Sequence, residues 1–548
     1  MRYFPRKLNA LILLSLLLLV GCGGGGDGGG SSSEANTFKI ISTSPNNNDS
    51  NVLTNIQLSF TFNNDVDLST LNNSSFTLTG SNPITGTIIY DSFSKTAIFA
   101  PDSDLEPSTD HTATLTTSIT DTAGNALAKV YTLNFKTKQI IQRVSVSSSG
   151  TEGNNISYQP SISSNGRYVA FGSEASNLIS NDTNNASDIF RHDTQTGNTI
   201  RVNVNSAGQQ SNAFSSSSRI SADGRYISFY STSSNLVAND TNSNSDIFRH
   251  DTQTGETIRV NLNSVGLQAN GNSLESDMSG DGRYVAFISN ATNLVNSDLN
   301  GLRDVFRHDI QTGNTILVSK STNGIQANDY PTGLSISADG RYVAFISEAT
   351  NLVSNDTNNT FDVFKHDAQT GITTRVNVSS VGQQANAESL LYTDISENGR
   401  YIIFNSYATN LVSGDTNSNL DIFRHDSQTG ETIRVNLNSG GQQASSSSNG
   451  IPTVSADGRY VVFRSSAANL VSNDTNVNGD IFKHDTQTGE TIRINLNSDN
   501  QQANDDSLQS AISADGRYVV FNSKATNLAV NGDTNASNDI FLVLTPNP

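Results

Sequence analysis

Residues 220–229 have the sequence ISADGRYISF, and this stretch decides the fold because the chain contains seven versions of it. A second block that begins Asp-Ile/Val-Phe follows each version about twenty residues later, and a third block, TIRVNLN in residues 257–263, follows the second. A fixed period of this kind is typical of repeat architectures, in which each unit packs against its neighbours. The seven versions begin at Ile162, Ile220, Met278, Ile336, Ile395, Val454 and Ile512, a period of 58 or 59 residues.

Each unit is predicted to contain four short strands. In the second unit we expect them at residues 217–221, 225–230, 246–250 and 257–263. The Ala-Asp-Gly before Arg225 and the DTQTG of residues 251–255 supply the turns, since Asp and Gly accept left-handed backbone. Four strands per unit, seven units and no helical period predict an all-β chain with a seven-bladed β-propeller.

Composition agrees with this fold and excludes one class of partner. The chain has 548 residues, no tryptophan and only 15% charged residues, while Asn, Ser and Thr fill the connecting segments. Its formal net charge is −19. Such an acidic chain repels phosphate backbones, so we expect no nucleic-acid partner.

The N-terminus is predicted to target the protein to a membrane. Residues 1–21 combine a positive start with an apolar run, residues 8–20, that is too short to span a bilayer comfortably. The run ends in Leu-Val-Gly-Cys at residues 19–22 and resembles the lipobox of bacterial lipoproteins. That resemblance implies cleavage before Cys22, which is the only cysteine, and lipidation of its thiol. The alternative is an ordinary signal peptide with an incidental cysteine.

A flexible tether is expected to follow the lipid. Residues 22–36 are rich in Gly and Ser, a composition that behaves as random coil. Gly23 stands after Cys22 where an aspartate would be a retention signal, so resemblance to sorted lipoproteins favours the outer membrane of the bacterial cell envelope. The membrane is therefore the first expected partner, reached through the lipid on Cys22.

Residues 37–138 are predicted to form a separate β-sandwich. Short alternating strands are expected at residues 38–42, 56–62, 76–79, 87–90, 96–99, 112–116 and 131–135. The Thr-Ser-Pro at 43–45, LSFTFN at 58–63 and DTAGN at 121–125 followed by LNF resemble the bacterial Ig-like domain of surface-layer proteins. That family implies a spacer or adhesive module without catalytic residues.

Residues 139–548 resemble a second family. The repeated Ile-Ser-x-Asp/Asn-Gly-Arg-Tyr, followed by Asp-Ile-Phe and Gln-Thr-Gly, is similar to the TolB-like, WD40-like repeat of bacterial propellers. Members of that family mostly bind proteins or support an enzymatic domain. The resemblance therefore implies a binding function.

No residue pattern indicates catalysis. Six of the seven histidines occupy one repeat position, His192, His250, His308, His366, His425 and His484, and a residue present once per blade is normally structural. The seventh, His111, stands alone in the Ig-like segment. Motifs of serine hydrolases, P-loops and zinc proteases are absent from the sequence. We therefore expect that the chain is not an enzyme.

One repeated polar motif, Asp-x-Asn-x-x-x-Asp before each third strand, suggests either calcium or a turn. Carboxylate and amide oxygens are calcium ligands, but the fifth loop position varies, and an Asx-turn would also explain the motif. Calcium is the one cofactor that the sequence suggests. The residues are Asp182, Asn184, Asp188, Asp240, Asn242, Asp246, Asp298, Asn300, Asp304, Asp356, Asn358, Asp362, Asp415, Asn417, Asp421, Asp474, Asn476, Asp480, Asp533, Asn535 and Asp539.

Two functions are compatible with these patterns. The first is a non-catalytic propeller that presents a loop face to an envelope protein or a glycan. Its partner is expected on the connections between blades that vary most, residues 271–275, 329–333, 387–391 and 445–450. The second is a polysaccharide lyase or hydrolase. An asymmetric cluster of acids, Tyr and Arg in the central channel would favour it, and the sequence alone reveals none.

The ends of the repeat array predict how the ring closes. The seventh unit ends after its third strand, whereas residues 142–147 precede the first unit and resemble a fourth strand, residues 200–205. We expect the N-terminal strand to pair with residues 539–544. This pairing would remove two exposed sheet edges.

Overall fold

The computed structural model describes residues 37–296, 298–529 and 532–546. The signal sequence, Cys22 and the tether lie outside the described residues. The described chain consists of strands, turns and loops. It contains no helix that could cross a membrane.

The first domain is a sandwich of two sheets, with strand orders β1-β3-β7-β6 and β2-β9-β8-β4-β5. Buried aromatic side chains fill the space between them, and the rings of Phe60 and Phe76 meet edge to face at 5.0 Å. Two strands, β2 and β5, were not predicted, because their short sequences lack apolar alternation. The strands are β1 (Ile40–Ser44), β2 (Asp49–Val52), β3 (Leu58–Phe62), β4 (Phe76–Thr79), β5 (Pro83–Ile84), β6 (Gly86–Asp91), β7 (Thr96–Pro101), β8 (Asp110–Leu115) and β9 (Tyr131–Thr137).

Seven four-stranded sheets follow, one for each repeat, so the predicted propeller is confirmed. The first strands of the blades are β11 (Ser157–Ile162), β15 (Ser215–Ile220), β19 (Ser273–Met278), β23 (Pro331–Ile336), β27 (Ser389–Ile395), β31 (Thr453–Val454) and β35 (Ser507–Ile512). The second strands are β12 (Tyr168–Ser173), β16 (Tyr226–Ser231), β20 (Tyr284–Ser289), β24 (Tyr342–Ser347), β28 (Tyr401–Ser406), β32 (Tyr460–Ser465) and β36 (Tyr518–Ser523).

The outer half of each of the first six blades is a hairpin, and in the seventh blade the fourth strand comes from the N-terminal side of the repeat array. The third strands are β13 (Asp188–Asp193), β17 (Asp246–Asp251), β21 (Asp304–Asp309), β25 (Asp362–Asp367), β29 (Asp421–Asp426), β33 (Asp480–Asp485) and β37 (Asp539–Leu544). The fourth strands are β14 (Thr199–Arg201), β18 (Thr257–Arg259), β22 (Asn314–Leu317), β26 (Thr373–Arg375), β30 (Thr432–Arg434), β34 (Thr491–Arg493) and β10 (Ile140–Arg143). They are shorter than predicted, because the chain leaves the sheet after the arginine, or after Leu317 in the third blade, to reach the next blade.

A pair of phenylalanines forms the centre of every blade. In the first blade Phe171 on β12 lies opposite Phe190 on β13, and their ring centroids are 5.9 Å apart. Both side chains are fully buried, as are their counterparts in the other blades. The Phe of the first and second repeat blocks is thus explained by burial between neighbouring sheets.

The ring closes as predicted, although the closing strand spans residues 140–143 instead of 142–147. Strand β10 runs antiparallel to β37, and Arg143 lies opposite Phe541. Beyond the strand, the Val144 amide donates to the carbonyl of Ile540 at 2.8 Å, and the Val144 side chain is fully buried. The last blade is therefore made from both ends of the repeat array.

One asparagine joins the sandwich to the propeller. Asn500 has a φ of 59° at a turn where the six other blades have glycine. Its side-chain nitrogen donates to the carbonyl of Ser50 at 3.0 Å, and its oxygen accepts from the Ser108 hydroxyl at 3.0 Å. An ion pair at 3.6 Å between Lys138 and Asp499 lies beside it. The domains thus contact each other next to the sixth blade.

Candidate functional site

The propeller has two unlike faces. We call the face formed by the Ser-x-Asp/Asn-Gly-Arg turns and the hairpins the turn face. The opposite face contains the connections between second and third strands and between blades, and we call it the loop face. The central channel, lined by first strands, joins them and encloses about 230 Å³.

Repeated residues make the turn face uniform. Arg225 forms two hydrogen bonds with Asp251, at 2.9 and 2.6 Å, and the Arg225 guanidinium holds the pKa of that carboxyl far below its ordinary value. Gly224 has a φ of 77°, and a β-carbon there would lie 2.1 Å from the ring of Tyr168 in the preceding blade. The repeated Gly-Arg-Tyr therefore serves the packing of each blade against its neighbour.

The repeated histidines are structural, as predicted. His192 Nδ1 lies 2.9 Å from the hydroxyl of Thr199, which donates to the carbonyl of Val146 in the preceding blade. Burial lowers the pKa of His192, and that of His250 to about 4. The rings stay neutral near pH 7 and link neighbouring blades. His111 is also buried, against Phe135.

Five of the seven loops proposed for calcium bring their two aspartates together around an arginine. In the first blade Arg201 lies 3.2 Å from Asp182 and 2.9 Å from Asp188. Asn184 donates to Asp188, and its oxygen accepts from the amide of Ala186 at 3.0 Å, which is an Asx-turn. Similar Asx-turns form at Asn242, Asn300, Asn417, Asn476 and Asn535. Calcium binding stays a prediction, with fewer free oxygens than the motif suggested.

A ring of backbone hydrogen bonds surrounds the channel at the turn face. Each amide donates to the carbonyl of the equivalent residue in the next blade, as Ala222 does to Gly280 at 2.9 Å. Six such links join Ser164, Ala222, Gly280, Ala338 and Glu397 in sequence, and Ala456, Ala514 and Ser164 in sequence. The Ser164 hydroxyl also donates across the channel to the carboxylate of Glu397, at 3.0 Å. This end of the channel is therefore narrow.

Nearer the loop face, one position of the first strand carries five different residue types in the seven blades. It lies five residues before the turn glycine and lines the channel. Because the position is not repeated, it can build an asymmetric site in a nearly symmetric ring. The residues are Ser161, Arg219, Asp277, Ser335, Asp394, Thr453 and Ala511.

Three of these residues form a proton-sharing cluster. The hydroxyl of Ser335 lies 3.0 Å from Asp277 and 3.0 Å from Asp394. A hydroxyl has one proton, so it can donate to only one carboxylate at a time. The second contact becomes a hydrogen bond when one carboxyl is protonated. Burial, with a smaller contribution from the charge of Asp277, raises the pKa of Asp394 to about 6.

A cation and a third acid complete the cluster. Arg219 Nε lies 3.8 Å from Asp277. Burial raises the pKa of Glu275, whereas the charges of Arg219 and Arg303 lower it. The cluster of acids and arginine that sequence reasoning did not find is thus present. Aligning the seven repeats at the position of Asp277 would have revealed it, because the flanking positions are largely apolar or hydroxyl-bearing.

An apolar pocket opens on the loop face beside the channel. It encloses about 360 Å³ and is lined by Leu390, Tyr392, Leu420, Ile451, Arg464 and Leu508 from three blades. Tyr392 is 36% exposed. Farther around the same face Tyr330, 37% exposed, stacks under Arg303 at 5.2 Å. The loop face therefore carries partly exposed aromatic rings and arginines that differ between blades, whereas the Arg and Tyr of the turn face recur in the repeats.

Comparisons with known proteins identify one domain by sequence. Residues 34–137 match the family model of the bacterial Ig-like domain. No curated protein matches the chain.

Solved structures resemble the chain at low sequence identity. One is an oligogalacturonate lyase from Vibrio parahaemolyticus, 14% identical, with a TM-score of 0.44 over 75% of this chain and 97% of that one. Another is the β-propeller domain of the Trilobed protease from Pyrococcus furiosus, 12% identical, with a TM-score of 0.42 over 71% and 95%. A third is TolB from Acinetobacter baumannii, 12% identical, with a TM-score of 0.35 over 83% and 96%. The chain thus combines a bacterial Ig-like domain with a seven-bladed β-propeller.

Proposed function

We propose that this protein is a lipid-anchored component of the bacterial cell envelope whose propeller binds a protein or glycan on its loop face. The lipobox-like residues 19–22 support lipidation of Cys22, and Gly23 supports the outer membrane as the destination. The bacterial Ig-like domain then acts as a spacer between the tether and the propeller. Two or more acyl chains would hold the protein on the bilayer stably.

The observation that carries the binding function is the pocket at Tyr392. The repeats are nearly identical where they pack blade against blade, yet they differ at Leu390, Tyr392, Ile451 and Arg464, which meet in this pocket. Partly exposed aromatic and arginine side chains are enriched at recognition surfaces because they give large contact area and directed hydrogen bonds. Packing within the propeller does not require these side chains to differ between blades.

The proposal is tested by capture from envelope extract and by binding to a glycan array. The full chain and the Tyr392→Ala, Ile451→Asp double variant are compared with Gln253→Ala, a substitution of an exposed residue on the turn face. We expect the pocket variant to lose at least tenfold in affinity and Gln253→Ala to bind normally. Equal binding by all three proteins would contradict a partner site on the loop face.

A second function, a polysaccharide lyase or hydrolase, is favoured by the channel cluster. The oxygens of Asp277 and Asp394 that contact Ser335 are at most about 6 Å apart, which is comparable to the spacing of paired carboxylates in glycoside hydrolases. In this function Asp394, with its raised pKa, would be the proton donor. Arg219 would orient an acidic sugar.

A polysaccharide screen separates the two functions. New reducing ends or unsaturated sugars, formed by the wild type and lost in Asp394→Asn, would establish catalysis. Binding without product formation by either protein would leave the non-catalytic function. The Ser161→Ala variant is the matched control, because Ser161 lies at the equivalent position of the first blade and carries no charge.

A further inference from the structure

Five blades hold an internal arginine between two aspartates. The guanidinium comes from the last residue of the fourth strand and lies between 2.9 and 3.6 Å from both carboxylates. These arginines are Arg201, Arg259, Arg375, Arg434 and Arg493. In the seventh blade Arg143 contacts Asp539 and Glu152 in the same manner. Each of these six blades therefore neutralises its buried aspartate internally.

The third blade lacks this arginine. Leu317 lies opposite Phe306, in the register at which Arg375 lies opposite Phe364 in the next blade. The aspartates are nevertheless retained: Asp304 is fully buried, and Asp298 Oδ2 is a buried atom with no hydrogen-bond partner. Among the described residues, no cation lies within 4.0 Å of either carboxylate.

Neighbouring side chains do not take the place of the missing guanidinium. Gln326 donates to Asp298 at 2.9 Å and to Asp304 at 2.7 Å. Its counterpart in the fourth blade, Gln384, makes the same two contacts while Arg375 is also present. Gln326 is therefore a regular part of the loop and does not replace the missing arginine.

Lys320 does not supply the missing charge either. Its charge lies near His366 of the fourth blade, where burial and, to a smaller extent, Lys320 lower the pKa of that histidine to about 4. Burial raises the pKa of Asp304 to about 6.

We propose that the third blade is a socket for the guanidinium group of an arginine side chain presented by another protein. Guanidinium is the group that the equivalent aspartate pairs bind in the same structure. The planar donors of arginine fit two carboxylates better than a point charge does. This inference is independent of the function proposed for the loop-face pocket.

The surroundings suit an arginine better than a metal ion. Gln326 directs N–H donors at both carboxylates, and the Asn300 oxygen already accepts from the amide of Leu302, so few of the six to eight oxygens that calcium takes remain. A cavity of about 690 Å³ lies alongside and includes Leu299 and Ile325, which are 88% and 57% exposed. Such apolar surface would cover the methylene stem of the incoming side chain.

The probe is N-acetyl-arginine amide, titrated into the full chain by calorimetry and thermal unfolding, with the uncharged citrulline analogue as its control. We expect one equivalent of the arginine compound to bind and raise the melting temperature, and the citrulline analogue to bind at least tenfold more weakly. In the Leu317→Arg variant the new arginine side chain of the protein itself would occupy the socket. This variant should lose binding at least tenfold and melt at a higher temperature than the wild type.

A second variant guards against indirect effects. Arg375→Leu reproduces the third-blade arrangement in the fourth blade and should bind two equivalents. The proposal is overturned if the wild type and Leu317→Arg bind the arginine compound equally. It is also overturned if the wild type does not bind the compound at a concentration 10-fold above that which saturates Arg375→Leu. Saturable binding of Ca²⁺ in place of the arginine compound would also overturn it.

Discussion

The strand that closes the ring, β10, is held in the last blade by noncovalent contacts, and Arg143 makes several of them. Arg143 is 3.0 Å from Glu152 and 2.9 Å from Asp539, whose side chain is fully buried, and it also donates to the carbonyl of Gly532 at 2.9 Å. We consider Arg143→Met, which keeps the apolar stem and removes the charge. The matched control is Arg201→Met in the first blade, where the same type of contact is made to Asp182 and Asp188.

The two substitutions should cost similar free energy but have different consequences. Removing one partner of a buried ion pair costs about 3–5 kcal/mol. The four residue pairs between β10 and β37 contribute on the order of 1 kcal/mol each. In the first blade a hairpin still holds β14 beside β13 after Arg201 is lost. In the last blade β10 is held by contacts alone, so Arg143→Met cancels most of what keeps it docked and exposes two sheet edges.

Urea unfolding and light scattering measure the two effects. We expect both variants to lose about 3–5 kcal/mol of unfolding free energy, and only Arg143→Met to form dimers or larger species. If Arg143→Met unfolds at the wild-type urea concentration and stays monomeric, the ring is not closed by this contact. If both variants associate to the same extent, the association does not come from the loss of β10 from the last blade.

The effect should also depend on pH. Burial raises the pKa of Asp539 to about 7, and the charge of Arg143 opposes this rise. A pKa that is higher in the folded than in the unfolded protein stabilises the fold at low pH, and that stability is lost as pH rises through the folded pKa. Without Arg143 the pKa rises further. The deficit of Arg143→Met relative to wild type should therefore be larger at pH 8 than at pH 5, and an equal deficit at both would contradict this role.

Three further predictions follow from other parts of the chain. Cys22→Ser should release the protein into the soluble fraction, and a variant that stays in the detergent phase with the mass of the mature form would exclude lipidation. Chelator should leave the melting temperature unchanged if the arginines serve the loop aspartates, whereas a fall that Ca²⁺ restores would establish calcium at these loops. Asn500→Gly keeps a backbone that tolerates positive φ but loses the side-chain hydrogen bonds to the sandwich. Small-angle scattering should then show a larger maximum dimension with the propeller's melting temperature unchanged, and an unaltered dimension would mean that Asn500 does not hold the domains together.

The propeller fold and the closure of its ring could be predicted from the sequence, because both depend on strand patterns that recur in every repeat. Seven copies of one strand pattern require seven equivalent sheets, and the missing last strand reappears in residues 142–147 with the same Arg-Val spacing. The histidines were assigned correctly for the same reason, since His192 and its counterparts recur once per blade. Strands β2 and β5 were missed because four and two residues give no detectable alternation.

The channel cluster and the arginines that six of the seven loops contact were not predicted, because they join residues that are distant in sequence. Asp277, Ser335 and Asp394 are separated by 58 and 59 residues, and they meet only because the ring turns successive first strands toward one axis. Asp182 and Asp188 looked like ion ligands in isolation, yet Arg201 reaches them from the far side of a hairpin. Local sequence thus determined the strands, turns and blade number through side-chain periodicity and turn chemistry. Only the tertiary structure decided which charges became neighbours, since that depends on distances across the ring.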